Sequence, residues 1–267
     1  MRRFESRVVM TSLCVMICFL LEVQGKEVKV GFGQSKAPFV IEKSGTGLEI
    51  DIFREALAYK GHSLSVEHFS NKRLQRVLKD MKTLDAVATV QKDLKDGFHY
   101  VANFVVFDNY AISRLEDQLK LKKIADLKGL KVVTWQNAHQ DLGAVFKEMF
   151  KPLPFAPYKE MYREESSQRR QNIAFWRKST QVIIIDKTIF LWYQQQLSRV
   201  LNTKGAVRYH PIFSGKTYFY AGFRDAQIAK DFSEGLEHLK STGRYRELYE
   251  LYTDFSKKKV IDSSSGL

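Results

Sequence analysis

Cysteine is almost missing from this chain. Its two cysteines, Cys14 and Cys18, both fall in an apolar stretch near the amino terminus. Leu13 and Ile17 stand directly before them, which does not fit the Leu-x-small pattern of lipid attachment. Beyond that stretch the chain can form no disulfide, no thiolate metal site and no cysteine nucleophile. Proline is scarce too: three of the 5 lie within Lys151–Pro157, which therefore reads as a loop. After residue 21, charges interrupt every apolar run, so no later segment approaches the roughly 20 residues of a membrane span. Several chemical signatures are absent as well. Gly31-Phe32-Gly33 lacks the third glycine of a dinucleotide loop, and no Gly-Lys-Ser/Thr phosphate loop occurs. The 6 histidines show no metal-ligand spacing, and no Gly-x-Ser-x-Gly elbow marks a hydrolase. Asp and Glu are plentiful, but nothing selects a catalytic pair. The expectation is no catalytic residue, no metal and no cofactor.

Basic residues outnumber acidic ones, 43 to 30, for a formal net charge of +13. A basic surface favours anionic ligands or headgroups, or simply keeps the protein soluble. At the amino terminus Arg2, Arg3 and Arg7 precede the apolar run Val8–Leu21, and Val23-Gln24-Gly25 offers a cleavage site. That layout predicts a secretory signal over residues 1–25 and a periplasmic protein. Export and the lack of an aromatic–basic motif argue against a nucleic-acid partner. Without disulfides the exported chain must rely on its core, and its length suffices for one large domain or two small ones.

The remaining chain alternates strand-like and helix-like segments, the pattern of an α/β fold. Val28, Val30 and Phe32 alternate in a strand ending at Gly33, and a helix follows Gly47 with Ile50, Phe53 and Leu57 on one face. Leu64–Phe69 is a second strand, Leu74, Val77, Leu78 and Met81 form a helical stripe, and Asp85–Val90 is a third strand. The pattern restarts after residue 115. Leu130–Trp135 reads as a strand, and Leu142, Val145, Phe146 and Met149 as one helical face. Ser166 or Ser167 would cap a helix running to Trp176. Val182–Ile185 forms a strand ending at Asp186, followed by a helix from Ile189 to about Leu201. Tyr218–Phe223 is a late strand, with helices over Ile228–Leu239 and Arg244–Tyr252 and a frayed tail over 256–267.

Two such series imply two lobes, and sheets of this kind place ligands beyond the carboxyl ends of their strands. The segments that matter are Gly33–Phe39, Thr89–Lys92, Gln136–His139 and Asp186. Lys36 and Lys92 would suit a carboxylate or phosphate, or be ordinary surface lysines. Thr89 and Gln91 offer neutral hydrogen bonds. Asn137 precedes a helix whose N–H groups face the cleft or merely cap it. His139 contacts ligand or faces solvent. Asp186 partners a cationic group or caps the helix after it. Trp135 is cleft wall or core.

The same segments carry a resemblance. Ala37-Pro38-Phe39 with Gly47-Leu48-Glu49-Ile50-Asp51-Ile52, then Leu84-Asp85-Ala86-Val87, Asp126-Leu127-Lys128-Gly129-Leu130-Lys131-Val132, and Gly243-Arg244-Tyr245 with Leu248-Tyr249 resemble, in order and spacing, the family 3 extracellular solute-binding proteins. The resemblance spans about residues 28–253 and implies the two-lobed periplasmic-binding-protein-like fold, type II. Lobe one would comprise 26–112 plus 214–255 and lobe two 113–213, with crossings near Ala111–Arg114 and Phe213–Thr217. A small polar solute, anionic or zwitterionic, would bridge the lobes and drive closure, with Phe39 of Ala-Pro-Phe among its contacts. A monomer serving an ABC-type permease or a sensor protein is implied. An interaction module without solute, or an enzyme on the same scaffold, stands as the alternative.

The departures are specific. Amino-acid receptors of this family carry a clamping arginine downstream of the Leu-Asp-Ala aspartate, where this chain has Asp96-Gly97-Phe98. A guanidinium fork has no equal substitute. Lys36 stands where the family stacks an aromatic, and Asn137, Ala138 and His139 replace small hydroxyl residues. Asp186 alone matches the family's ammonium holder. The resemblance therefore does not carry an α-amino-acid ligand over to this chain.

Overall fold

The computed structural model describes residues 25–255 except Ser35, Leu94, 152–160 and Ser214. The expected signal, apart from Gly25, and the expected tail lie outside the described residues, as does most of the proline-rich loop.

The first half of the chain builds β1 (Glu27–Gly33), α1 (Leu48–Ala58), β2 (Ser63–Phe69), α2 (Asn71–Asp80), β3 (Ala86–Val90) and β4 (His99–Phe107). The second builds β5 (Asn109–Arg114), β6 (Val132–Trp135), α3 (Ala138–Asp141), α4 (Ala144–Phe150), β7 (Tyr162–Glu165), α5 (Gln168–Trp176), β8 (Val182–Asp186), α6 (Lys187–Leu197) and β9 (Val207–His210). The chain then returns through β10 (Thr217–Phe223) to α7 (Ala226–Ser241) and α8 (Arg244–Thr253).

Two five-stranded sheets result, ordered β2-β1-β3-β10-β4 and β7-β6-β8-β5-β9. Each has a parallel trio on one side and antiparallel strands on the other. In both, the chain reverses direction across the sheet at the first strand of the trio, β1 or β6. Crevices form at such switch points, outside the carboxyl ends of the strands. The chain leaves the first sheet at Phe107 and enters the second at Asn109. The whole of β5 thus belongs to the second sheet, ahead of the expected crossing at Ala111–Arg114.

The apolar patterns explain the layers. Ile50, Phe53 and Leu57 of α1 are fully buried, as are the four apolar residues of β8. One buried cluster runs from Val30 and Phe53 through Phe107 and Phe219 to Ile189 and Phe190, so apolar packing is continuous between the halves. Ser167 caps α5 as expected, accepting from Arg170 N. The helix expected over Leu142–Met149 is broken at Gly143, whose φ of 90° belongs to glycine. The break leaves Val145 61% exposed while Phe146 is buried. Helix α6 stops at Leu197, and Val200 beyond it is exposed. Among the described residues, no helix is long and apolar enough to cross a membrane.

Candidate functional site

A cavity of about 200 Å³ lies between the two sheets, beyond the carboxyl ends of β3, β6 and β8. From the side of the first sheet, Lys36, Asn71, Gln75, Thr89 and Gln91 line it, with Leu74, Phe107 and Phe219 as its apolar wall. From the second half come Asn109, Gln136, Asn137, Gln140, Asp141, Gln168 and Asp186, with Trp135 and Ile189.

The first-half side is fixed by a buried ion pair. Lys36 Nζ lies 2.7 Å from Glu49 Oε1, and neither side chain is more than 5% exposed. Thr89 Oγ1 donates to the other carboxylate oxygen at 2.7 Å. The ammonium also sits 5.4 Å from the centre of the Phe107 ring. Lys36 thus lines the cavity with an anionic partner already fixed within the fold. Gln75, on α2, accepts from Gln91 N and donates to Gln91 O, both at 2.8 Å, and so holds the segment after β3.

On the other side Asp186 closes β8 and caps α6. Its Oδ1 accepts from Thr188 N and Ile189 N, and its Oδ2 from Asp108 N at 2.7 Å. Burial outweighs these three donors and pushes its carboxyl up to about 6. Asp141 ends α3. It accepts from Trp135 Nε1 at 3.0 Å and from Gln91 Nε2 at 3.5 Å. Burial likewise pushes it up to about 6, against those donors and nearby His139. Asn137 occupies the left-handed region at φ 66°, and its N–H donates to Glu164 Oε2 at 3.0 Å.

Five of the eight residues singled out from the sequence therefore meet here: Lys36, Thr89, Gln91, Asn137 and Asp186. Three lie elsewhere. Phe39 is buried in the core behind the cavity, its ring 4.6 Å from that of Phe107. Lys92 borders a separate surface depression with His99, Tyr100 and Ala226, because the chain after Gln91 turns away from the gap. His139 turns from the cavity to Glu164, with Nδ1 2.8 Å from Oε1, while Asp141, two residues on, faces inward.

The sequence reading passed over most of the amide lining. Gln168 opens α5, directly after a strand that was not recognised. Gln136 Oε1 and Gln168 Oε1 are buried without a hydrogen-bond partner. No group of His, Cys, Asp and Glu among the described residues is arranged to hold a metal ion.

No family model matches the sequence, and no curated protein matches it either. Solved structures do. A histidine kinase sensor domain with similarity to periplasmic binding proteins superposes with a TM-score of 0.68 at 16% identity, over 86% of this chain and 96% of its own. The arginine-, lysine-, histidine-binding protein ArtJ of Geobacillus stearothermophilus gives 0.66 at 16%, over 88% and 98%. The GluR0 ligand-binding core of Nostoc punctiforme, in complex with L-glutamate, gives 0.65 at 17%, over 85% and 99%. Near-complete coverage in both directions, at an identity this low, is a likeness of architecture: the chain has the two-lobed α/β fold of the periplasmic-binding-protein-like structures.

Proposed function

We propose that this protein is an exported solute-binding protein that captures one small polar molecule between its lobes. Residues 1–25 are its export signal and the periplasm its compartment. It acts as a monomer and is not an enzyme. The closed form presents its solute to an ABC-type permease or engages a sensor protein. The lobes follow the sheets: residues 26–108 with β10 to α8 form one, and β5 to β9 the other.

The observation that carries this reading is the composition of the cavity wall. Both sheets contribute polar side chains to it at their switch points, and the cavity is of a size for a small metabolite. The likeness of fold to amino-acid-binding proteins and to a sensor domain supports capture as the activity. A micromolar solute supplies about 8 kcal/mol, enough to close a hinge costing a few.

A thermal-shift screen against amino acids, amines, dicarboxylates and phosphorylated compounds tests it. At least one class should raise the melting midpoint, by RT ln(1 + [L]/Kd) in stability, without being turned over. A panel with no shift, or with product formation, would overturn the proposal.

A further inference from the structure

We infer that the solute is an organic ammonium ion without a carboxylate, such as an alkylamine, a diamine or an amino alcohol, and not an α-amino acid. The inference rests on the proposed capture function and adds the ligand's chemistry.

Three observations carry it. First, among the described lining residues the one cation is Lys36, and its charge is spent on Glu49 at 2.7 Å. A ligand carboxylate would find no free positive partner, and it would meet the like charges of Asp141 and Asp186 in a site of low polarisability. Second, two of the lining amides carry buried acceptor oxygens without a partner. Gln168 is 6% exposed, and its Oε1 has no partner; Gln136 Oε1 is also buried and unpartnered. Such atoms are costly in the empty site and call for a donor. An ammonium group supplies three donors and no acceptor. Third, Phe107, Trp135 and Phe219 line the cavity, and aromatic faces attract cations. A protein of net charge +13 that keeps two carboxylates in its cavity is concentrating negative charge where it would select a cation.

Isothermal titration of the full chain with putrescine, ethanolamine, L-glutamate, L-arginine and succinate is the test. Putrescine or ethanolamine should bind at micromolar concentration, with the carboxylate-bearing compounds at least tenfold weaker. Asp141→Asn should weaken amine binding tenfold or more, and Gln168→Leu several-fold. Gln168→Leu removes an oxygen with no partner in the fold, so retained circular dichroism and melting behaviour separate lost binding from lost folding. Tight binding of glutamate, arginine or succinate would overturn the inference while leaving solute capture standing. Amine binding indifferent to both variants would overturn it as well. No binding by any compound, here or in the wider screen, would end both.

Discussion

Gln91 Nε2 donates to Asp141 Oδ1 at 3.5 Å, joining the segment after β3 to the short helix after β6 in the wall of the cavity. A long bond to a carboxylate is worth about 1 kcal/mol net. It adds a polar link at the cavity to two halves that are also joined by the chain crossings and by the buried apolar cluster running from Phe107 and Phe219 to Ile189 and Phe190. Gln91→Ala should therefore lower the closed-to-open ratio about fivefold. Distances between labels on the two lobes, read by single-molecule fluorescence, measure that ratio. An unchanged ratio would show that the bond is incidental to closure.

Asp141 also makes stability depend on pH in an unusual direction. Burial raises its carboxyl from 3.8 to about 6. The folded state then binds more proton than the unfolded chain between those values, so this group's contribution to stability is lost as pH rises through the window. Asp141→Asn removes that cost. It should stabilise the protein by up to about 3 kcal/mol at pH 7 and by little at pH 4. Urea denaturation at the two pH values reads the difference. An equal effect at both would mean that the carboxyl is not held up by burial.

Gly235 marks the closest approach of α7 to α1. A Cβ placed there would lie 1.9 Å from the carbonyl oxygen of Ala56. Alanine normally improves a helix interior by about 1 kcal/mol over glycine. Here the obstacle is backbone, which cannot swing aside, and forcing extra volume into a packed contact costs about 1–3 kcal/mol. The clash wins, and Gly235→Ala should lower stability by about 2 kcal/mol in urea denaturation. A stabilised variant would show that the helices separate freely.

The longer helices and strands β1, β2, β3, β6, β8 and β10 were legible because their apolar residues repeat at helical or strand spacing, as in Leu74, Val77 and Leu78 or in Val182–Ile185. Strands β4, β5, β7 and β9 were not. Tyr-Arg-Glu-Glu in β7 and Val-Arg-Tyr-His in β9 are polar edge strands, held by their neighbours rather than by apolar alternation. β5 carries Arg114 into the interior, which is possible only because the carbonyls of Phe175 and Thr180 and the carboxylate of Asp117 receive its guanidinium. Missing β7 hid Gln168, since a residue beyond an unrecognised strand does not read as lying at a carboxyl end. Asn71 and Gln75 sit on the polar face of an amphipathic helix, and only tertiary packing decides that this face borders a cavity. His139 and Asp141 share one helical turn, and sequence alone does not say which of them looks inward.

Lys36, read from the sequence as a contact for a ligand carboxylate or phosphate or else as a surface lysine, is buried and pairs with Glu49. The pair is buried on both sides, with Thr89 holding the second carboxylate oxygen. Removing one member of such a pair leaves an uncompensated charge and costs about 3–5 kcal/mol, whereas replacing both by apolar residues of similar volume is close to neutral. Glu49→Gln and Lys36→Met should each destabilise by that amount, and Lys36→Met with Glu49→Leu should recover most of the loss. A denaturation cycle over the four proteins gives the coupling directly. Glu49→Gln has a second consequence: the freed ammonium would give the cavity the positive partner it lacks, so this variant should gain affinity for succinate or glutamate. Additive losses with no such gain would mean that Lys36 and Glu49 act independently, and Lys36 would again stand as a direct contact for an anionic guest.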